Sequence, residues 1–226
     1  MRLAVRPPAY FPRLAELALA ARADALVLGD TFAFSRQSTH NRARIRSTAG
    51  AMWLSVPVGT AHGRRLDGVA LDAWPEAARH ARKALRFSYG KAPFYEHYAE
   101  DLDALLAAEH STLAALACAT TDWLFARFGL PAPRRASSLP GAPATLAEVV
   151  GALPATSLLV LPETLARDRA ALASPVEALP VEALPVEALD WAERPYRQPF
   201  PGFVPGLSAL DALMMRGPHA RALLGA

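Results

Sequence analysis

The sequence predicts an α/β fold, a parallel or mixed sheet with helices and a mainly helical middle segment, and three observations carry that expectation. The first 29 residues read strand, loop, helix, strand. Three Ala- and Leu-rich stretches of helical period follow within residues 75–128. A short apolar run over residues 157–161 then returns the chain to a sheet. With 226 residues, 52% of them hydrophobic and 20% charged, and a mean hydropathy of +0.14, there is ample material for one core. The same composition excludes a disordered or collagen-like chain. Residues 1–226 are read as a single domain.

Residues 2–6 alternate around Leu3 and Val5 as a strand, which stops at Pro7-Pro8 because proline cannot continue a ladder. Over residues 11–22, Leu14, Leu17, Ala18 and Ala21 recur at helical spacing, and residues 25–29 form a continuous apolar run of strand length. A helix of that length spans one crossover, so the two strands are expected to be parallel, the start of a Rossmann-like sheet. Asp30 then falls just past the carboxyl end of the second strand, where open α/β sheets place ligands. Phe32 and Phe34 alternate with small residues, as do Met52, Leu54 and Val56 up to Pro57. Strand pairing is therefore expected around the polar stretch between them, itself a loop and a strand. Helical periodicity marks residues 75–89, 95–109 and 111–128.

Residues 130–143 are Pro-rich loop, extended at most over 134–139. Thr145 with Glu148 three residues on is a capping-box start for a helix over 145–153. Residues 175–190 repeat the pentamer PVEAL three times, and a proline every fifth residue forbids a continuous helix or a central strand. A loop-like or disordered insert is expected there. Near the end, Leu207, Leu210, Leu213 and Met214 share a helical face, Ser208 is the N-cap, and Gly217-Pro218 ends the helix.

Twenty-two of the 24 basic residues are arginine, Lys83 and Lys91 being the exceptions. Residues 1–65 carry a net +7 and residues 66–226 a net −4, so an anionic ligand is expected on the N-terminal part. The pI of about 9.3 is too modest for a committed nucleic-acid binder. The single cysteine, Cys118, excludes an internal disulfide and a cysteine-based zinc site, and its helical setting marks it as core. No apolar run reaches membrane-spanning length and no signal peptide opens the chain, so a cytoplasmic protein is expected.

Three constellations could carry chemistry. The first is the loop PAYFPRLAE around Tyr10, at the turn from first strand to first helix, without a GxGxxG or a Walker lysine. The second is Asp30 followed by Ser35-Arg36-Gln37 and His40-Asn41-Arg42-Ala43-Arg44-Ile45-Arg46. If the last residues are extended, Arg42, Arg44 and Arg46 share one face, and guanidinium forks on one face grip phosphate or carboxylate. His40 has no ligand partner at metal spacing, so no metal site is assigned. The third is YGKAPFYEHY, where Lys91 could meet an anion and Tyr95 could stack on a base or sugar.

Taken together, four stretches resemble the WbqC-like family of bacterial proteins. They are PAYFPRLAELALAARADALVLGD, FSRQSTHNRARIRSTAGAMWLSVPV, YGKAPFYEHY and YRQPFPGFVPGLSALDALMMRG. Carried over by position, the matching residues are Tyr10, Pro12, Asp30, Ser35, Arg36, Asn41, Arg42, Tyr89, Pro93, Ser208, Asp211 and Gly217. The chain departs from the family at Arg6-Pro7-Pro8-Ala9, where a Gln usually precedes the aromatic-Pro loop, and at the pentamer repeat. The family's association with O-antigen and other surface-polysaccharide gene clusters implies a transferase. Its substrate would be a nucleotide-linked or lipid-linked sugar, modified by acyl or aminoacyl transfer to an amino group.

Site residues are therefore expected at Asp30 and His40 for catalysis, and at Tyr10, Arg36, Asn41, Arg42, Arg44, Lys91 and Tyr95 for an anionic substrate such as a nucleotide sugar. No cofactor and no oligomeric state is assigned. The opening strand, aromatic-Pro loop, helix, Ala23-Asp24 and strand also resemble the start of Rossmann-like nucleotidylyltransferases, but their paired histidines are missing here. Nucleotidyl transfer and a non-enzymatic binding role are the alternatives.

Overall fold

The computed structural model describes residues 1–173 and 184–225. Strand β1 (Arg2–Arg6) leads through the loop at Pro7 into helix α1 (Leu14–Arg22) and back to β2 (Ala25–Leu28), paired in parallel with β1 from Leu3↔Ala25 to Arg6↔Leu28. This is the crossover unit expected from the apolar spacing. The chain next forms an antiparallel hairpin of β3 (Arg42–Ser47) and β4 (Gly50–Ser55), then helices α2 (Trp74–Tyr89), α3 (Tyr95–Ala107) and α4 (Leu113–Arg127). It returns to the sheet as β5 (Arg134–Arg135), runs through α5 (Leu146–Gly151), β6 (Ser157–Val160), α6 (Leu165–Ala173) and β7 (Val186–Ala188), and closes with α7 (Ala209–Arg216).

The main sheet has the order β5-β2-β1-β6-β7, and every neighbouring pair in it is parallel. Strand alternation sends one set of side chains to each face. Leu3, Val5, Val27, Leu158 and Val160 pack with Val149 of α5 and Leu172 of α6, while Ala4, Leu26, Leu28 and Leu159 pack with α1, the helical middle and α7. The result is a three-layer α/β/α core, which is why the central strands β1, β2 and β6 carry apolar residues at consecutive positions, on both faces.

Two expectations differ in detail. The partner of the 50–55 strand is the Arg-rich strand 42–47, not the Phe32 to Phe34 segment, which makes only an isolated bridge from Ala33 to Arg65. Ala43 and Ile45 supply β3's buried face, so a strand rich in arginine is still half apolar. The third PVEAL copy is not a loop: Val186–Ala188 pairs with β6, with Leu158 N–H donating to Pro185 O and Leu189 N–H to Val160 O. Pro185 stands at the start of an edge strand, the one place in a sheet that tolerates it. Residues 174–183, which hold the first two copies up to Leu184, lie outside the described residues.

Several residues that the family resemblance marks turn out to build this frame. Ser208 Oγ accepts from Leu210 N–H and caps α7. Tyr196 Oη donates to Asp211 Oδ2 at 2.8 Å, and burial raises Asp211 to about 6. Tyr89 Oη, fully buried, accepts from Arg46 N–H at 3.0 Å and ties the hairpin to α2.

The raised Asp211 pKa has a definite sign. Between about 4 and 6 the folded protein holds a proton that the unfolded chain has released, so stability falls as pH rises through that window. Relative to Asp211→Asn, which does not titrate, the wild type should lose on the order of 3 kcal/mol between pH 3.5 and pH 7. Urea unfolding of both proteins at a series of pH values measures it. Gly217 ends α7 at φ +54°, and a Cβ there would stand 2.4 Å from the Phe94 ring. Gly217→Ala should therefore cost about 1–3 kcal/mol in the same assay.

Candidate functional site

From β1 the sheet grows one way through β2 to β5, and the other way through β6 to β7. The order reverses between β1 and β6, and open α/β sheets receive ligands at the carboxyl ends of the strands flanking such a reversal. The residues gathered there are Arg6, the last of β1; Glu16 on α1; and Thr164, Arg167 and Asp168, which follow β6.

Arg6 Nη2 lies 3.8 Å from Glu16 Oε1 and Arg6 Nη1 3.9 Å from Asp168 Oδ2, with all three side chains about a tenth exposed. Arg6 also donates to Thr164 Oγ1 at 3.4 Å, and that hydroxyl donates to Asp168 Oδ2 at 2.6 Å. Arg167 forks onto Asp168 Oδ1 at 3.0 and 2.9 Å. Burial lowers the Arg6 pKa from its ordinary value, with Glu16 and Asp168 offsetting part of that. Its Nε has no hydrogen-bond partner among the described residues.

Two clefts flank this buried ion network. One, of about 450 Å³, opens over Val5 and Pro7 at the carboxyl edge of β1, and His40, Ser38, Arg167 and Asp168 are among its walls. The other, of about 140 Å³, sits at the start of α1 between Arg13, Glu16, Arg42, Arg44 and Trp53. Residues 38–40 partition them: Ser38 and His40 face the larger cleft and Thr39 the smaller.

His40 is 3% exposed, and its Nδ1 lies 3.2 Å from the carbonyl oxygen of Pro8. A carbonyl only accepts, so Nδ1 carries the proton and Nε2 keeps its lone pair. Burial, against the carbonyl's opposing pull, lowers the His40 pKa below 6.5, so the ring is neutral at neutral pH.

In the smaller cleft, Arg42 stacks over Trp53 at 4.7 Å and donates through Nε to Ser38 O at 3.0 Å. Its terminal nitrogens, and the guanidinium of Arg44, have no hydrogen-bond partner among the described residues. Arg13 is already engaged, donating to Glu163 Oε1 at 2.8 Å. Burial opposes its charge, yet Glu16 and Glu163 outweigh that and its pKa is raised. Glu193, whose Oε2 accepts from Gly206 N–H at 2.7 Å, is pushed above the usual carboxylate range by burial, against the pull of Gly206, Arg13 and Arg44.

The expected site residues thus divide. Arg42 and Arg44 share one cleft and His40 lines its neighbour. Arg46, on the same strand face, is 3% exposed and spends its guanidinium on the carbonyls of Ser47, Gly50 and Pro201. Asp30 lines neither cleft, and its two oxygens accept from Ser137 N–H at 2.9 Å and Ser137 Oγ at 2.5 Å, tying β2 to the turn after β5. Asn41 Nδ2 donates to Val56 O and pins the end of β4. Tyr10, 1% exposed, is packed against Phe11 and Trp74, with its hydroxyl buried. Tyr95 is buried at the start of α3, and Arg36 is exposed on the loop. Lys91 belongs to a third cavity, past the C-terminal end of α2. Cys118 is buried, and burial pushes its thiol up to about 12, as core packing requires.

Reading the sequence missed Arg6, Thr164 and Asp168. The available signal was positional: the segment PETLARD follows a recognisable buried strand, just as the Pro-rich loop follows the first one, so both loops must meet at one sheet edge. Among the described residues no helix is long and apolar enough to cross a membrane. No curated protein and no solved structure matches the chain. The WbqC-like protein family matches residues 7–223, nearly the whole length, and the chain belongs to that family.

Proposed function

We propose that this protein is a cytoplasmic transferase that modifies a nucleotide-linked or lipid-linked amino sugar in the assembly of bacterial surface polysaccharide of the O-antigen type, by acyl or aminoacyl transfer. The observation that carries the reading is the adjacency of two chemistries across residues 38–40. On one side stand Arg42 and Arg44, with their terminal guanidinium nitrogens without a hydrogen-bond partner among the described residues; on the other stands a neutral imidazole with a fixed tautomer.

A cleft of about 140 Å³ has room for a phosphate group and little else, and two arginines on one strand face suit phosphate oxygens. The cleft of about 450 Å³ lies in the range that holds a sugar with its acyl donor. In this reading the phosphate of the sugar substrate anchors on Arg42 and Arg44. The sugar amine attacks the donor's carbonyl carbon, forming the C–N bond while the donor's leaving group departs. His40 Nε2 takes the proton that the amine sheds. The Arg6, Glu16 and Asp168 network holds the loop carrying Pro8, and with it the His40 ring, against the sheet edge.

Thermal unfolding of the purified protein against UDP-, GDP- and dTDP-linked sugars, ATP and CTP, each with and without magnesium, tests the reading. One sugar nucleotide should raise the melting temperature, since a ligand at about 100 times its Kd adds roughly 2.7 kcal/mol. Arg44→Ala should remove the shift. A shift with ATP or CTP alone would favour nucleotidyl transfer instead.

A further inference from the structure

Helix α2 presents an unusual outer face. Ala77, Ala81, Leu85 and Ser88 point into the core, and on the opposite side Arg79, Lys83, Arg86 and Phe87 stand exposed at spacings of four, three and one. Phe87 is 70% exposed, the most exposed large hydrophobic side chain among the described residues. The only acidic residue on the helix is Glu76, in its first turn. Past the helix end, Lys91 is exposed as well, and Arg197 approaches from the segment before α7. Among the described residues none of Arg79, Lys83, Arg86, Lys91 and Arg197 makes an ion pair.

A cavity of about 560 Å³ opens at the lower end of this face. Arg86, Lys91 and Arg197 stand around it, Phe87 and Phe200 supply apolar wall, and no acidic side chain lines it. Ser88, 3% exposed, also lines it, and its hydroxyl has no hydrogen-bond partner among the described residues.

We infer that the outer face of α2 docks on an anionic phospholipid surface, with Phe87 entering the interface and a lipid phosphate seated among Arg86, Lys91 and Arg197. A basic helix face with a single exposed aromatic side chain is the pattern of interfacial binding. Cations attract the anionic surface at about 1 kcal/mol each, and the ring buries in the headgroup boundary. A nucleic-acid duplex would use the same cations, but its bases are stacked on one another, and a lone phenylalanine reaches them only by unstacking a step at a cost of about a few kcal/mol. The inference is independent of the proposed reaction, because none of these residues lines the His40 or Arg44 clefts.

Co-sedimentation of the full chain with phosphatidylcholine vesicles, with and without 30 mol% phosphatidylglycerol, tests it, alongside retention of a short DNA duplex at equal salt. The protein should sediment with the anionic vesicles and stay in solution with the neutral ones. Lys83→Glu/Arg86→Glu should weaken anionic-vesicle binding by about tenfold or more. Phe87→Ser should weaken it several-fold, with the melting temperature little changed because the side chain is 70% exposed. Failure to bind anionic vesicles overturns the inference. So does binding that the charge reversal or Phe87→Ser leaves intact, or DNA binding tighter than vesicle binding. An Arg42→Ala/Arg44→Ala variant should sediment like the wild type, which separates this face from the proposed reaction site.

Discussion

Arg6→Met is expected to destabilise the fold by about 3–5 kcal/mol. Arg6 is the one cation between Glu16 and Asp168, and both carboxylates are less than a tenth exposed. Methionine keeps much of the packing volume but leaves two charges at the sheet edge with less compensation. Glu16 retains the Arg13 N–H at 2.9 Å, and Asp168 retains Arg167 and Thr164, so the loss is that of the shared partner. Because removing one member of a buried network costs more than replacing all of it, Arg6→Met/Glu16→Gln/Asp168→Asn should recover a large part of the loss. Urea unfolding of the single and triple variants gives the comparison. An Arg6→Met protein within about 1 kcal/mol of wild type would mean that the network does not hold the site together.

His40→Asn is expected to lower turnover by about 10²–10⁴-fold while leaving substrate affinity within a few-fold. Asparagine can place its amide nitrogen near the position of Nδ1 and keep the bond to Pro8 O, but it has nothing at the position of Nε2. The pH dependence separates a base from a spacer. The wild-type rate should decline on the acid side only below pH 6.5, because burial lowers the His40 pKa from that ordinary value. The variant's residual rate should lack that limb. Steady-state kinetics from pH 5 to 8 on the sugar nucleotide found by thermal unfolding measures both features.

What was legible in the sequence follows the range of the interactions that build each part. Strands 2–6 and 25–28, the helical middle and the Thr145 and Ser208 caps were readable because period, caps and apolar runs are local. The alternation that placed Arg42 and Arg44 on one face was readable for the same reason. Arg46 obeys the same alternation but is withdrawn by the carbonyl of Pro201, 155 residues away. Nothing within its own strand marks it as different. Asp30 looked poised for chemistry because its position past β2 was right, and its engagement with Ser137 depended on where β5 would pair. The Arg6, Glu16 and Asp168 cluster joins β1 and α1 to α6, about 150 residues further on, and only the strand order brings them together. The hairpin partner and the strand in the third PVEAL copy failed as expectations on composition: arginine and proline are poor strand signals except on a half-exposed or edge strand, which is where the fold uses them.

The measurement closest to the central claim is calorimetric titration of that sugar nucleotide into the wild type, Arg42→Ala/Arg44→Ala and His40→Asn. The double arginine variant should lose about 100-fold or more in affinity, two charge-assisted contacts at about 1.5–3 kcal/mol each, while His40→Asn should bind as the wild type does. Equal affinity in the double variant and the wild type would contradict it, and would place the anion somewhere other than the cleft between α1 and β3.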